Sequence, residues 1–146
     1  NDQLETSVAG VFACGNVLHV HDLVDYVSEE ATLAGTNAAA YVKAQNGEAA
    51  TKAEFHVVTL KAENGVRYTV PQTMDVNNMR DQVVVRFRVA DVYRGRSISV
   101  YLDGTRVQAR KKKVLAPGEM EQVILKKEDL QKYPDLKEIV ICTEVE

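Results

Sequence analysis

The sequence predicts two structural classes in one chain: a strand–loop–helix segment of α/β type, then an all-β sandwich of immunoglobulin or fibronectin type III kind. Two observations carry this. From Val24 to Ala44 the chain is Ala-rich, poor in breakers, and repeats apolar residues every three or four positions, the period of one helical face. After Ala53, apolar and polar residues alternate in short runs divided by turn signals, the period of strands. The change falls near Asn46-Gly47, so the expected units are 1–46 and 54–146, with 47–53 as a linker.

Taken in order, Val8 to Ala13 is short, small and apolar and ends at Gly15, which suits a fully buried parallel strand. In the helix that follows, Val27, Ala31, Ala34, Ala38 and Val42 form the apolar face. Asp22 or Asp25 is the expected cap at its start, and Asn46-Gly47 its close. Gly35 lies inside this helix, where glycine lowers helix stability, and so marks a place of close packing on a sheet or cofactor.

The strands come next. Phe55 to Lys61 and Val66 to Val70 flank a turn at Asn64-Gly65. Val83, Val85, Phe87 and Val89 alternate with Val84, Arg86 and Arg88, a half-buried strand with arginine on its wet face. Ile98, Val100 and Leu102 alternate likewise, and Asp103-Gly104 signals a hairpin into Thr105 to Lys113. After a turn at Pro117-Gly118, Val123 to Leu125 and Ile139 to Val145 complete six or seven strands, with Glu128 to Lys132 as a short helical turn. Frequent turns between short strands are the sandwich pattern.

Composition excludes several classes. Hydrophobic residues make up 45% and charged residues 27% of 146 residues, which is globular rather than disordered. A formal net charge of −3 leaves no cation surplus for phosphates, so no nucleic-acid partner is expected. The one basic run, Arg110 to Lys113, reads as a solvated strand end. No stretch approaches the roughly 18 apolar residues of a membrane helix, and no signal-peptide pattern opens the chain. The resulting expectation is a cytoplasmic protein without a membrane partner. Cys14 and Cys142 sit in separate apolar runs with no CxxC pair, so each is expected as a buried free thiol. The sandwich has one histidine, His56, and no Ser/His/Asp or Cys/His spacing. Tyr68, Tyr93 and Tyr101 read as packing or cross-strand pairs. A sugar-binding sandwich lacks support, since there is no Trp and aromatics are only 6%.

The segment Thr6-Ser7-Val8-Ala9-Gly10-Val11-Phe12-Ala13-Cys14-Gly15-Asn16 resembles the second FAD fingerprint of the pyridine nucleotide-disulfide oxidoreductase class of flavoproteins. In that class a Thr and a turn lead into a small apolar strand ending in Gly-Asp. The likeness continues through Ser28-Glu29-Glu30-Ala31-Thr32-Leu33-Ala34-Gly35-Thr36-Asn37-Ala38-Ala39-Ala40, similar to the closing helix of the same domain, and covers roughly the first third of the chain.

The resemblance implies that residues 1–46 are the last strand and helix of an FAD-binding, Rossmann-like domain. It further implies a parent protein that is an FAD-dependent oxidoreductase, NAD(P)-linked. Gly15 would allow the backbone to approach the cofactor, Asn16 would bond the ribityl chain, and the N–H groups of Glu30 and Ala31 would face the flavin's pyrimidine edge. Two departures are visible. Asn16 stands where the class has Asp, and the GxGxxG phosphate turn is nowhere in the chain. The isolated chain is therefore expected to be inactive and not to hold FAD, its partners being upstream FAD- and NAD(P)-binding domains. The alternative is a non-catalytic sandwich acting as an interaction or assembly module, with a protein partner. His19-Val20-His21-Asp22 lies between the motif halves. It reads first as loop packing or helix capping, second as a flavin-adjacent loop able to assist proton transfer. A metal site comes last, because two His and one Asp in a row cannot easily converge on one ion, and none is expected.

Overall fold

From Val57 on, apolar residues at every second position commit the chain to strands, and these build most of the molecule. The computed structural model describes residues 1–48 and 53–145; of the expected linker 47–53, residues 49–52 lie outside them. A 3-10 turn, Gly15–Val17, precedes the helix α1, Val24–Gln45. The strands are β1 (Val57–Glu63), β2 (Val66–Val70), β3 (Thr73–Asp75), β4 (Gln82–Val89), β5 (Tyr93–Leu102), β6 (Thr105–Leu115), β7 (Glu121–Lys126) and β8 (Glu138–Val145), with a one-turn helix α2, Lys127–Leu130, before β8.

They form two sheets, one of five strands in the order β3-β1-β8-β5-β6 and one of three in the order β2-β4-β7. Every pair is antiparallel except β1 with β8. Inward residues of both sheets, among them Leu60, Val100 and Ile141 from one and Val85, Phe87 and Leu125 from the other, share a single buried core. The arrangement is mostly β, sandwich-like, with two helices among the described residues. The five-plus-three division and the parallel β1–β8 pair differ from the antiparallel four-plus-three division of an immunoglobulin constant-type domain.

Both turn dipeptides reverse the chain with positive φ at both positions: Asp103-Gly104 closes the β5–β6 hairpin, where that geometry matches strand twist, whereas Asn64-Gly65 carries the chain from β1 in one sheet to β2 in the other. The basic run lies on β6, an edge strand, and two of its cations are not simply solvated. Arg110 Nη2 and Lys112 Nζ reach the buried Glu121 carboxylate at 3.2 and 2.8 Å, tying β6 to β7 across the two sheets. The tyrosines do not form one patch: Tyr93 lies under Arg96, Tyr101 bonds Glu144, and Tyr68 stands edge-on to His19.

The N-terminal third departs from expectation. Val8 to Ala13 is not a buried parallel strand. Thr6 N–H donates to Val11 O and Ala13 N–H to Leu4 O, folding the segment back on itself, with Val8 and Val11 exposed. A parallel strand needs flanking strands to pair its backbone, and none of the described residues supplies them. No parallel Rossmann-like sheet forms there. The helix itself matches its expected span. It starts at Leu23 without a side-chain cap and closes at Asn46, with Gly47 at φ 81°. Its packed face is rotated from the expected one: Glu30 and Ala34 are buried, while Ala31 and Val42 are exposed. Gly35 is exposed, and a Cβ built there would meet nothing within 4 Å, so it makes no close packing contact among the described residues. Among those residues no helix is long and apolar enough to cross a membrane.

Candidate functional site

The packed face of α1 carries a carboxylate, Glu30, and the loop between the 3-10 turn and α1 carries His19 and His21. The loop is short, so it folds across the first two turns of the helix and delivers both imidazoles to Glu30. His19 Nε2 lies 2.9 Å from Glu30 Oε1 and His21 Nε2 lies 2.9 Å from Glu30 Oε2. Gly15 N–H donates to Glu30 Oε2 at 2.7 Å. The three side chains are 3, 0 and 2% exposed. A carboxylate only accepts, so Nε2 of each ring is the nitrogen that donates. Both Nδ1 atoms are buried with no partner among the described residues.

The sandwich completes the site. Arg86 of β4 places Nη1 3.9 Å from Glu30 Oε1 and Nη2 3.3 Å from the exposed Glu29, and its guanidinium lies 5.1 Å from the centroid of the Tyr26 ring. Arg88, two residues on, donates to Asp22 Oδ1 at 2.6 Å and to Val20 O at 2.9 Å. The arginines expected on a wet face are therefore covered by the N-terminal segment. Alternation reports which side of a strand faces away from the core, not what lies over that side. Asp22 does not cap the helix; its other oxygen accepts Met120 N–H at 2.6 Å.

Electrostatics follow from these contacts. Burial pushes the Glu30 carboxyl up, but the hydrogen bonds from His19, His21 and Gly15 outweigh it and hold the group at about 2. Burial also works against ionised Asp22, yet the Met120 N–H and Arg88 leave its pKa below the ordinary value. Cys142 is buried and its thiol is pushed up to about 11, chiefly by that burial, which makes it unreactive. Cys14 is half-buried.

Gly15 opens the 3-10 turn at φ 67°, a conformation that favours glycine. Asn16 beside it is exposed. Glu30 and Ala31 lie past the first turn of a helix that starts at Val24, so their N–H groups are spent on intrahelical bonds. The orphan donors belong to residues 23–26 instead. Glu30 contributes its side chain, which sequence reasoning assigned no part. A metal-capable set, not expected from the sequence, differs from the His-His-Asp run weighed for it: His19, His21 and Glu30 each offer one ligand atom, all within 4.8 Å of one another. Glu30 and Arg86 further line a cleft of about 600 Å³, with Asp2, Leu33 and Pro71 also on its walls.

No family model matches the chain, nor does any curated protein or solved structure.

Proposed function

We propose that this chain is the C-terminal part of an FAD-dependent, NAD(P)-linked oxidoreductase, in which residues 1–46 supply the ribityl side of the flavin site and the sandwich is appended to it. The observation that carries the reading is the exposed apolar surface of that segment. Val8, Val11, Val17, Val20, Leu23 and Val24 are each at least half exposed, although the fingerprint-like sequence places two of them, Val8 and Val11, in a buried strand. Six exposed apolar side chains within residues 8–24 suit a segment that meets another surface. The upstream strands of an FAD-binding domain are the occupant that the resemblance names.

The residues present fit one side of the cofactor. Gly15 is followed by an exposed amide, Asn16, able to accept or donate to a ribityl hydroxyl. The first-turn N–H groups of α1 offer a positive helix end, which favours negative charge on a reduced flavin. FAD supplies the hydride chemistry, and this chain's part is to bind and orient it. Glu30 takes the Gly15 N–H, which fixes the turn that carries Asn16. The phosphates have no cradle here and belong to the upstream part.

The test uses a chain extended upstream. It is expected to purify yellow. Asn16→Leu removes a hydrogen bond and strands a hydroxyl, costing on the order of 1–3 kcal/mol, so FAD affinity falls by about tenfold or more. Asn16→Asp restores the residue of the resembled class and retains binding. Unchanged FAD affinity in the Leu variant removes Asn16 from the cofactor and with it the reading. The 146-residue chain alone is expected to leave flavin fluorescence unquenched in the same titration.

A further inference from the structure

We propose that His19, His21 and Glu30 form a binding site for a borderline divalent metal ion of the Zn2+ class, independent of the flavin reading. The ligand set is two imidazoles and one carboxylate, a combination used by zinc sites that keep an open position. It does not suit Ca2+ or Mg2+, which take oxygen ligands. The pieces come from two elements, a loop that offers His19 and His21 and a helix that offers Glu30 at the end of its second turn, so the fold itself brings the set together.

The distances are close to what an ion needs. Ligands bound at about 2.0–2.1 Å in tetrahedral geometry stand roughly 3.3 Å apart. The two Nε2 to carboxylate separations are 2.9 Å, each to a different oxygen, and the three ligand atoms lie within 4.8 Å of one another, so modest shifts of the side chains bring one oxygen and both Nε2 atoms to that spacing. To coordinate, each Nε2 gives up the proton it donates to Glu30, so the ion competes with protons for the site. Glu30 lies on the wall of the cleft, which neither histidine lines.

Both Nδ1 atoms and Arg86 Nε are buried without a partner among the described residues, so the hydrogen bonds to Glu30 leave polar capacity in the cluster unused. Arg86 is the group that opposes a cation. Its charge is shared with Glu29 and spread over the Tyr26 face, which weakens the opposition without removing it. That gives the proposal a signed consequence: neutralising Arg86 must tighten the site, whereas it would loosen a network held together by the Arg86–Glu30 ion pair.

The experiment strips the 146-residue chain with chelator and titrates it with Zn2+ against a chromogenic competitor, and with Co2+ followed by its visible absorption. One ion per chain is expected. His19→Gln and His21→Gln each weaken binding by about 100-fold, extending the loss seen when a group hydrogen-bonded to a metal ligand is removed, while Arg86→Gln tightens it by about tenfold. Far-UV circular dichroism checks that each variant is folded. If a histidine variant unfolds, Arg86→Gln, which removes no ligand, decides the matter with the Co2+ spectrum. Zn2+ uptake no greater than that of the folded His19→Gln/His21→Gln double variant overturns the proposal. So does an Arg86→Gln variant whose affinity is unchanged or weaker.

Discussion

At the scale of residues, Glu30 is where the chain concentrates its polar energetics: one carboxylate accepts from two imidazoles and a backbone N–H while lying 3.9 Å from a guanidinium. Its folded-state pKa, about 2, lies below the ordinary 4.5. A depressed carboxylate stabilises the fold fully above its unfolded pKa, and that contribution is lost as pH falls through the folded value. The window is thus pH 4.5 down to 2, and the linked stability is on the order of 3 kcal/mol. Glu30→Gln cannot titrate and should lack this slope. Denaturant unfolding of both proteins between pH 5 and pH 2 measures it; parallel profiles would mean that Glu30 is not held as described. None of this was legible beforehand. His19 and His21 are visible as a pair in the sequence, but Glu30 stands nine or more residues away on a helix face read as small and apolar. Only the fold of the intervening loop brings them together. Arg86 was misread for a related reason, since a pattern of alternation carries no information about a segment that docks from elsewhere in the chain.

The elements themselves were largely readable. Seven of the eight strands and the long helix appear where periodicity places them, because the strands alternate over one shared core and Asp-Gly fixes the register of β5 with β6. The strand that was missed, Thr73–Asp75, is three residues long, too short for a period to show. The strand that was expected and did not form, Val8 to Ala13, has strand composition but no flanking strand to pair with. The two glycine turns can be told apart energetically. Both residues hold positive φ, so an Ala side chain is strained in either. A Cβ at Gly65 would also sit 2.7–2.8 Å from the Tyr93 ring, whereas one at Gly104 meets nothing within 4 Å. Tyr93 packs on the core and under Arg96, so it cannot retreat freely. Gly104→Ala is expected to cost about 1 kcal/mol, and Gly65→Ala about 1–3 kcal/mol more through overpacking. Chemical denaturation of the two variants side by side tests the order. Equal losses would show that the Tyr93 contact relaxes without cost.

Across the whole molecule, the N-terminal segment and the sandwich are joined by polar contacts and stabilised by different means. Within the described residues the buried core cluster begins at Val58 and includes none of residues 1–48. What holds the segment down is a set of charged and backbone hydrogen bonds centred on β4. Arg88 reaches Asp22, Val20 O and Pro117 O, and Asp22 in turn takes Met120 N–H from the turn before β7. Arg88→Ala leaves three acceptors without their donor. Hydrogen bonds to charged groups contribute about 1.5–3 kcal/mol each at most, and those at exposed partners less. The loss of this residue should therefore cost the docking a few kcal/mol while leaving the core untouched. Local opening then becomes more frequent than global unfolding. Hydrogen exchange followed by mass spectrometry should show peptides spanning residues 15–45 exchanging faster in Arg88→Ala, with those of β4, β5 and β8 keeping their protection. A uniform acceleration of both sets would instead mean that segment and sandwich unfold as one cooperative unit. In that case the polar seam at β4 contributes to the stability of the sandwich as much as to the position of the helix.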